Sequence, residues 1–362
     1  MLIFRVRFGH TAVLCRNPLQ LQNWPARFKL QLLAGLLVLM TFTPPASAAP
    51  NRLTIASAFA TRLPELGSQG VEVTRRINKK LGRQLSVALY DPGKLAPPGR
   101  YLDPVIVGAI NAAWSAPNLL INKNSTFGVF GGPPFGLPAA DHMRWLAGLA
   151  SIAYTAAYDA IGLAAIPCGV IAGQAFAWTQ EPLKALDDLK AMRIGIVSPG
   201  LSAHVLRSAG AQVRASSPAA LHVMALSGAL NAVSLGPYHV DLRMRTHQVA
   251  RYAYAPNPLA PTYVLDLTFG LKRWQELSDN ARAAIRTSCD ETIQTALTRQ
   301  ATAKTTSLKR LAEDAKSLEP IPLPIATHLF ETWRSTAEKL AAANPGFAAA
   351  IADYPWPKGL ER

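Results

Sequence analysis

The sequence is poor in acid. No Asp or Glu occurs in the first fifty residues, and the whole chain has 22 acids against 37 Lys and Arg, a formal charge of +15. Such a surplus suits a ligand or surface of negative charge. The bases are dispersed, however. Arg75-Arg76 and Lys79-Lys80 form one local patch with the spacing of a solvated helix face, and no basic run with interleaved aromatics is present. That pattern argues against nucleic acid and leaves a positive field that gathers small anions. Cysteine is scarce too, three in 362 residues with no Cys-x-x-Cys pair, which excludes a disulfide scaffold and a zinc ribbon. Catalytic signatures are missing: there is no Gly-x-Ser-x-Gly, no His-Glu-x-x-His and no P-loop. The seven histidines are scattered, none paired at helical ligand spacing. Ser198 to His204 brings serine and histidine near each other, but at a helix start this reads as capping. Gly131, Gly132 and Gly136 lack the strand–helix context of a dinucleotide site. No enzyme, metal or cofactor is read from these residues.

What is present begins with a leader. Residues 1–29 carry Arg5, Arg7, Arg16, Arg27 and Lys29, and Leu30 to Phe42 is an apolar run of 13 residues, followed by Pro44-Pro45 and then Ala46-Ser47-Ala48. A basic segment, a short apolar segment and an Ala-x-Ala site are expected to form a secretory signal peptide over residues 1–48, the run being too short to cross a bilayer. Export would carry the mature chain out of the cytoplasm. Cys168 and Cys289 would then meet an oxidising compartment, where they could pair. Their distance in sequence and the apolar setting of Cys168 favour two buried free thiols.

From Asn51 the pattern alternates strand and helix. Residues 52–60, 84–93, 111–117, 163–173 and 262–270 read as strands, 63–82 and 201–210 as helices, 139–162 as one long apolar helix, and 277–315 as a long polar helix. Ser217 caps a helix with Pro218 at its first position. Hydrophobic residues make up 49% of the chain, enough to fill the core of each of two lobes at this length. Two strand–helix series predict an α/β fold of two lobes with a central cleft, and ligands in such folds sit at the carboxyl ends of strands. Arg193 stands out within Leu189-Lys190-Ala191-Met192-Arg193-Ile194-Gly195-Ile196-Val197: a cation inside an apolar strand needs an internal carboxylate, water or a bound anion as partner.

The segments YDPGKL with LDPVIVGAINAAW, FGGPPFG, Gln174 four residues before Trp178, DDLKAMRIG, ALSGALNAVSLGPY and LDLTFGLKRWQEL occur in an order and spacing that resembles the solute-receptor subunit of tripartite ATP-independent periplasmic (TRAP) transporters, the DctP family, over residues 52–345. The branch it is most similar to contains the 2-oxo-acid and mannitol/chloroaromatic receptors. The resemblance implies a two-lobed periplasmic-binding-protein fold with a long helix spanning both lobes. It divides the chain into lobe I (50–163), lobe II (164–235), a return to lobe I (236–275), and the long helix with a helical tail (276–362). It implies capture of a small organic carboxylate for membrane permease subunits, by a monomer or homodimer. Arg193 matches the arginine that grips the carboxylate as a planar fork, Gln174 and Trp178 match ligand-side residues, and Trp114, Asn118 and Tyr238 stand where the cleft wall is expected. One departure matters. The branch usually reads Asp-Ala-x-Glu-Trp-x-Gly-Pro-Tyr, whereas Asn231 to Tyr238 here is one residue shorter and has neither the Glu nor the Trp. A hard cation wants carboxylate oxygens, so no metal is expected, and an altered-ligand binding or sensory module of the same fold is the second reading.

Overall fold

The computed structural model describes residues 51–357 apart from Arg83 and Ser198, so the expected signal peptide lies outside the described residues. The chain begins with β1 (Asn51–Ser57), α1 (Ser68–Leu81), β2 (Leu85–Tyr90), α2 (Leu102–Ile106) and β3 (Ala112–Ser115), followed by α3 (Thr126–Phe130), α4 (Ala139–Ala147), α5 (Ser151–Asp159) and β4 (Leu163–Ala172). A second series runs β5 (Ala177–Thr179), α6 (Leu186–Lys190), β6 (Arg193–Ile196), α7 (Leu201–Ser208), β7 (Gln212–Ala215), α8 (Pro218–Leu226), β8 (Ala232–Ser234), α9 (Tyr238–Met244) and β9 (Tyr252–Tyr254). The last part contains β10 (Thr262–Gly270), α10 (Leu271–Gln275), α11 (Asp279–Asp314), β11 (Ser317–Glu319), α12 (Leu323–Ala343) and α13 (Pro345–Ala352).

These strands form two sheets, ordered β2-β1-β3-β10-β4 and β11-β9-β5-β8-β6-β7. Each is parallel except for one strand. β10 runs antiparallel to β3 and β4, and β5 runs antiparallel to β8 and β9. The two-lobed α/β architecture expected from strand–helix alternation is therefore present. All nine residues of β10 are buried, because it is a central strand with helices on both faces.

Helix α11 joins the two lobes along 36 residues. Ile285 and Cys289 lie in the core under the first sheet, and Leu311 lies in the core of the second. Ser278 caps its start by accepting from the Ala281 amide at 3.3 Å. Cys168 on β4 and Cys289 on α11 form a disulfide, with their Cα atoms 4.2 Å apart. This corrects the expectation of two free thiols: 121 residues of chain bring strand and helix face to face, a proximity that sequence distance does not report.

The single helix expected over 139–162 is two helices. The backbone leaves helical geometry at Gly148, with φ −103° and ψ −102°, a position where glycine carries little helical preference. Beyond α11, α12 buries Ile325, Leu329, Trp333 and Ala337, and α13 buries Phe347. The Tyr354 hydroxyl accepts from the Leu137 amide at 2.9 Å and meets His142 Nδ1 at 2.9 Å, while His142 Nε2 meets the Phe130 carbonyl. Burial pushes His142 down to about 4, so it stays neutral in the core. No helix among the described residues is long and apolar enough to cross a membrane.

Candidate functional site

A pocket opens between the two sheets, with a cavity of about 50 Å³. The first lobe contributes Leu63, Pro64 and Leu66 from the loop after β1, and Asn257, Leu259, Ala260 and Tyr263 from the segment entering β10. The second contributes Ile196 and Val197 at the carboxyl end of β6, Ser202 and Leu206 on α7, Pro218 on α8, and the Ser234-Leu235-Gly236-Pro237 turn after β8. Strand carboxyl ends and helix starts thus converge on it, as strand direction in an α/β sheet dictates. Gln174 and Phe176 close it at the crossover between lobes.

Gln174 is the one sequence-predicted residue in this lining. Its Nε2 donates to the Ala260 carbonyl at 3.0 Å, and its backbone bridges Pro237, so it ties three walls together. Arg193 lies elsewhere. It is the first residue of β6 and is exposed, whereas the pocket meets the last residue of that strand, about 10 Å further along. Its guanidinium donates to the carbonyls of Gly228 (3.2 Å) and Ala229 (3.3 Å) in the turn after α8. Two residues on, Gly195 faces the same way, and a Cβ there would lie 2.6 Å from Leu221. That face of β6 packs on α8, so strand alternation turns Arg193 out of the cleft.

Trp178 is fully buried on β5 within the second core. It stands beside Asp241, which burial pushes up to about 7 against the lowering effect of Trp178 and of the Thr246 hydroxyl. Trp114 is fully buried in the first core, and its indole donates to the Leu66 carbonyl at 2.6 Å. It therefore fixes a residue of the pocket wall without touching the pocket. Asn118 donates to the Gly131 carbonyl at 3.1 Å and is wedged against Gly200, where a Cβ would come within 2.9 Å of its side chain. Glycine at 200 lets the start of α7 close on the first lobe. Tyr238 opens α9, its amide donating to the Gly173 carbonyl at 3.1 Å. Burial and the nearby Asp241 raise its hydroxyl to about 12.

Charge near the pocket is consumed inside the protein. Glu65, between Pro64 and Leu66, is buried and adopts φ 60°. Arg299 on α11 donates to its carboxylate at 2.6 and 3.2 Å, Gln69 and Gln300 donate at 3.0 and 3.3 Å, and His239 Nε2 of the second lobe stands 3.2 Å away. Burial works to raise this carboxyl, and the His239 and Arg299 contacts outweigh it, holding it below its ordinary value. This cluster anchors the loop that carries Leu63, Pro64 and Leu66.

Ser202, Ser234, Asn257 and Tyr263 are the polar lining residues that sequence reasoning missed. Ser234 was signalled by its place at a strand end. Asn257 and Tyr263 reach the pocket only because β10 returns to the first sheet. Among the described residues no cluster of three His, Cys, Asp or Glu stands ready for a metal, and the lining contains no carboxylate. A calcium ion seeks six to eight oxygens, several of them charged, and this donor set does not fit one.

The chain is similar to several described proteins. A monocarboxylate 2-oxoacid-binding periplasmic protein of Nostoc sp. (strain PCC 7120) is 25% identical over 278 residues, covering 75% of each chain. A TRAP transporter solute-binding protein of Bordetella bronchiseptica RB50, with copurified calcium and picolinate, superposes with a TM-score of 0.77 at 20% identity, covering 86% of this chain and 91% of its own. One of Colwellia psychrerythraea, with bound calcium and pyruvate, gives 0.77 at 19% identity, covering 84% and 93%. Residues 62–342 match the bacterial extracellular solute-binding proteins of family 7, the DctP family, and the chain belongs to it.

Proposed function

We propose that this protein is a periplasmic receptor that captures a small organic carboxylate between its lobes and delivers it to the membrane permease of a TRAP system, with no chemical step. The observation that carries this reading is the position of the pocket. It lies at the carboxyl ends of β6 and β8, faced by the first turns of α7 and α8, where helix-start amides without an intrahelical partner can donate to a bound solute. The solutes of the three similar proteins, 2-oxoacids, picolinate and pyruvate, are all small carboxylates. The chain crosses between sheets at Gly173–Gln174, between β9 and β10, and along α11. Opening and closure about these crossings would admit and retain the solute, the closed state being favoured by its differential contacts.

The test is thermal stabilisation of the mature protein by a panel of 2-oxo, 2-hydroxy and aromatic monocarboxylates. A binder at about a hundred times its Kd adds about 2.7 kcal/mol, a rise of several degrees in Tm. No shift from any member of the panel at millimolar concentration refutes the reading.

A further inference from the structure

Resting on that reading, we infer that the cleft recognises its solute through neutral hydrogen bonds and shape and not through charge, so that a small organic acid and its primary amide are bound alike. The lining contains no Lys, Arg, His, Asp or Glu. Glu65, between two residues of the wall, is held by Arg299 and His239, and Arg193 bonds two carbonyls outside the cleft.

The polar groups that remain are of both kinds. Asn257 Oδ1 accepts from the amides of Leu259 and Ala260 at 3.0 and 3.2 Å, which leaves its NH2 free to donate. Gln174 spends one Nε2 hydrogen on Ala260 and keeps Oε1 as an acceptor. The Ser234 hydroxyl donates to the Ala175 carbonyl at 3.0 Å and can only accept further. The Ser202 hydroxyl stands in the same lining and can donate or accept. A carboxylate accepts only, whereas a primary amide offers an acceptor and two donors. The site therefore satisfies an amide at least as fully as an acid. Around these groups stand Leu63, Leu66, Phe176, Val197, Leu235 and Leu259, a low-dielectric wall that penalises a bare charge. A cavity of about 50 Å³ has room for roughly four waters at 10–15 Å³ each, which limits the solute to a few heavy atoms plus what opening adds.

An arginine clamp behaves otherwise, since its bidentate charged pair is lost when the acid becomes an amide. The experiment is titration calorimetry of the mature protein with matched pairs: pyruvate and pyruvamide, lactate and lactamide, picolinate and picolinamide. For the pair that binds most tightly, an amide Kd within tenfold of the acid's, or below it, supports the inference, with Asn257→Ala weakening both members by similar factors. An amide more than tenfold weaker overturns the inference and leaves the carboxylate receptor standing. No binding by any acid or amide at millimolar concentration overturns the receptor reading and the inference with it.

Discussion

Removal of the Cys168–Cys289 disulfide offers a quantitative test of how the first lobe is held to the long helix. The bond closes a loop of 121 residues between β4 and α11, and both cysteines are fully buried in the first core. In the chain-entropy account a cross-link of this span removes about 16 cal/mol/K from the unfolded ensemble, or about 5 kcal/mol at 25 °C. Unfolding entropy of about 2.1 cal/mol/K per residue over roughly 300 residues converts this to a Tm loss of about 8 °C. The double variant Cys168→Ala/Cys289→Ala avoids leaving a lone thiol in the core. Thermal and urea melts of the mature protein and this variant, both exported through an oxidising compartment, measure the loss. Thiol titration of the wild type in denaturant should find neither cysteine free. Two free thiols in that assay, or a loss under about 1 kcal/mol, would refute the reasoning.

Two further outcomes follow from buried and exposed charge. Arg193→Ala removes an exposed side chain bonded to two carbonyls, and such surface changes cost about 0.5 kcal/mol or less. The ligand-induced Tm shift should survive this change, and its disappearance would return Arg193 to the binding site. Burial raises Asp241 and Asp266 to about 7, so each contributes stability that is complete below the unfolded value and lost as pH rises through the folded one. His142, lowered to about 4, acts in the opposite sense: the unfolded chain takes up a proton below its ordinary value that the native core refuses. Between about pH 4.5 and 6 these three groups leave the native state with one more proton than the unfolded chain, so their joint contribution to stability should fall by about 1.4 kcal/mol per unit rise in pH. Asp266→Asn removes one of those protons and should flatten this dependence by the same amount in denaturant titrations at the two pH values. An unchanged slope would mean that Asp266 is not protonated in the fold.

Much of the secondary structure was legible because it is local. The Ser217 cap with Pro218 is present, Ser217 Oγ accepting from the Ala220 amide at 3.3 Å, and the long polar helix runs over Asp279–Asp314. Alternation of strand and helix implied two parallel-type sheets, and two are there. The site was less legible. Trp178 was expected on the ligand side and Trp114 in the cleft wall, and both are buried in the cores. An apolar period says that one face of an element is buried, not what covers it.

By itself, then, the sequence determined the alternating elements, their caps, and the lack of any carboxylate between Asn231 and Tyr238. The tertiary structure alone decided that Cys168 meets Cys289, that β10 returns to bring Asn257 and Tyr263 to the pocket, and that Arg193 turns toward α8. The reason is the same in each case. Strand order, and which end of a strand faces the cleft, depend on pairings between residues tens to hundreds of positions apart, and no local pattern carries them.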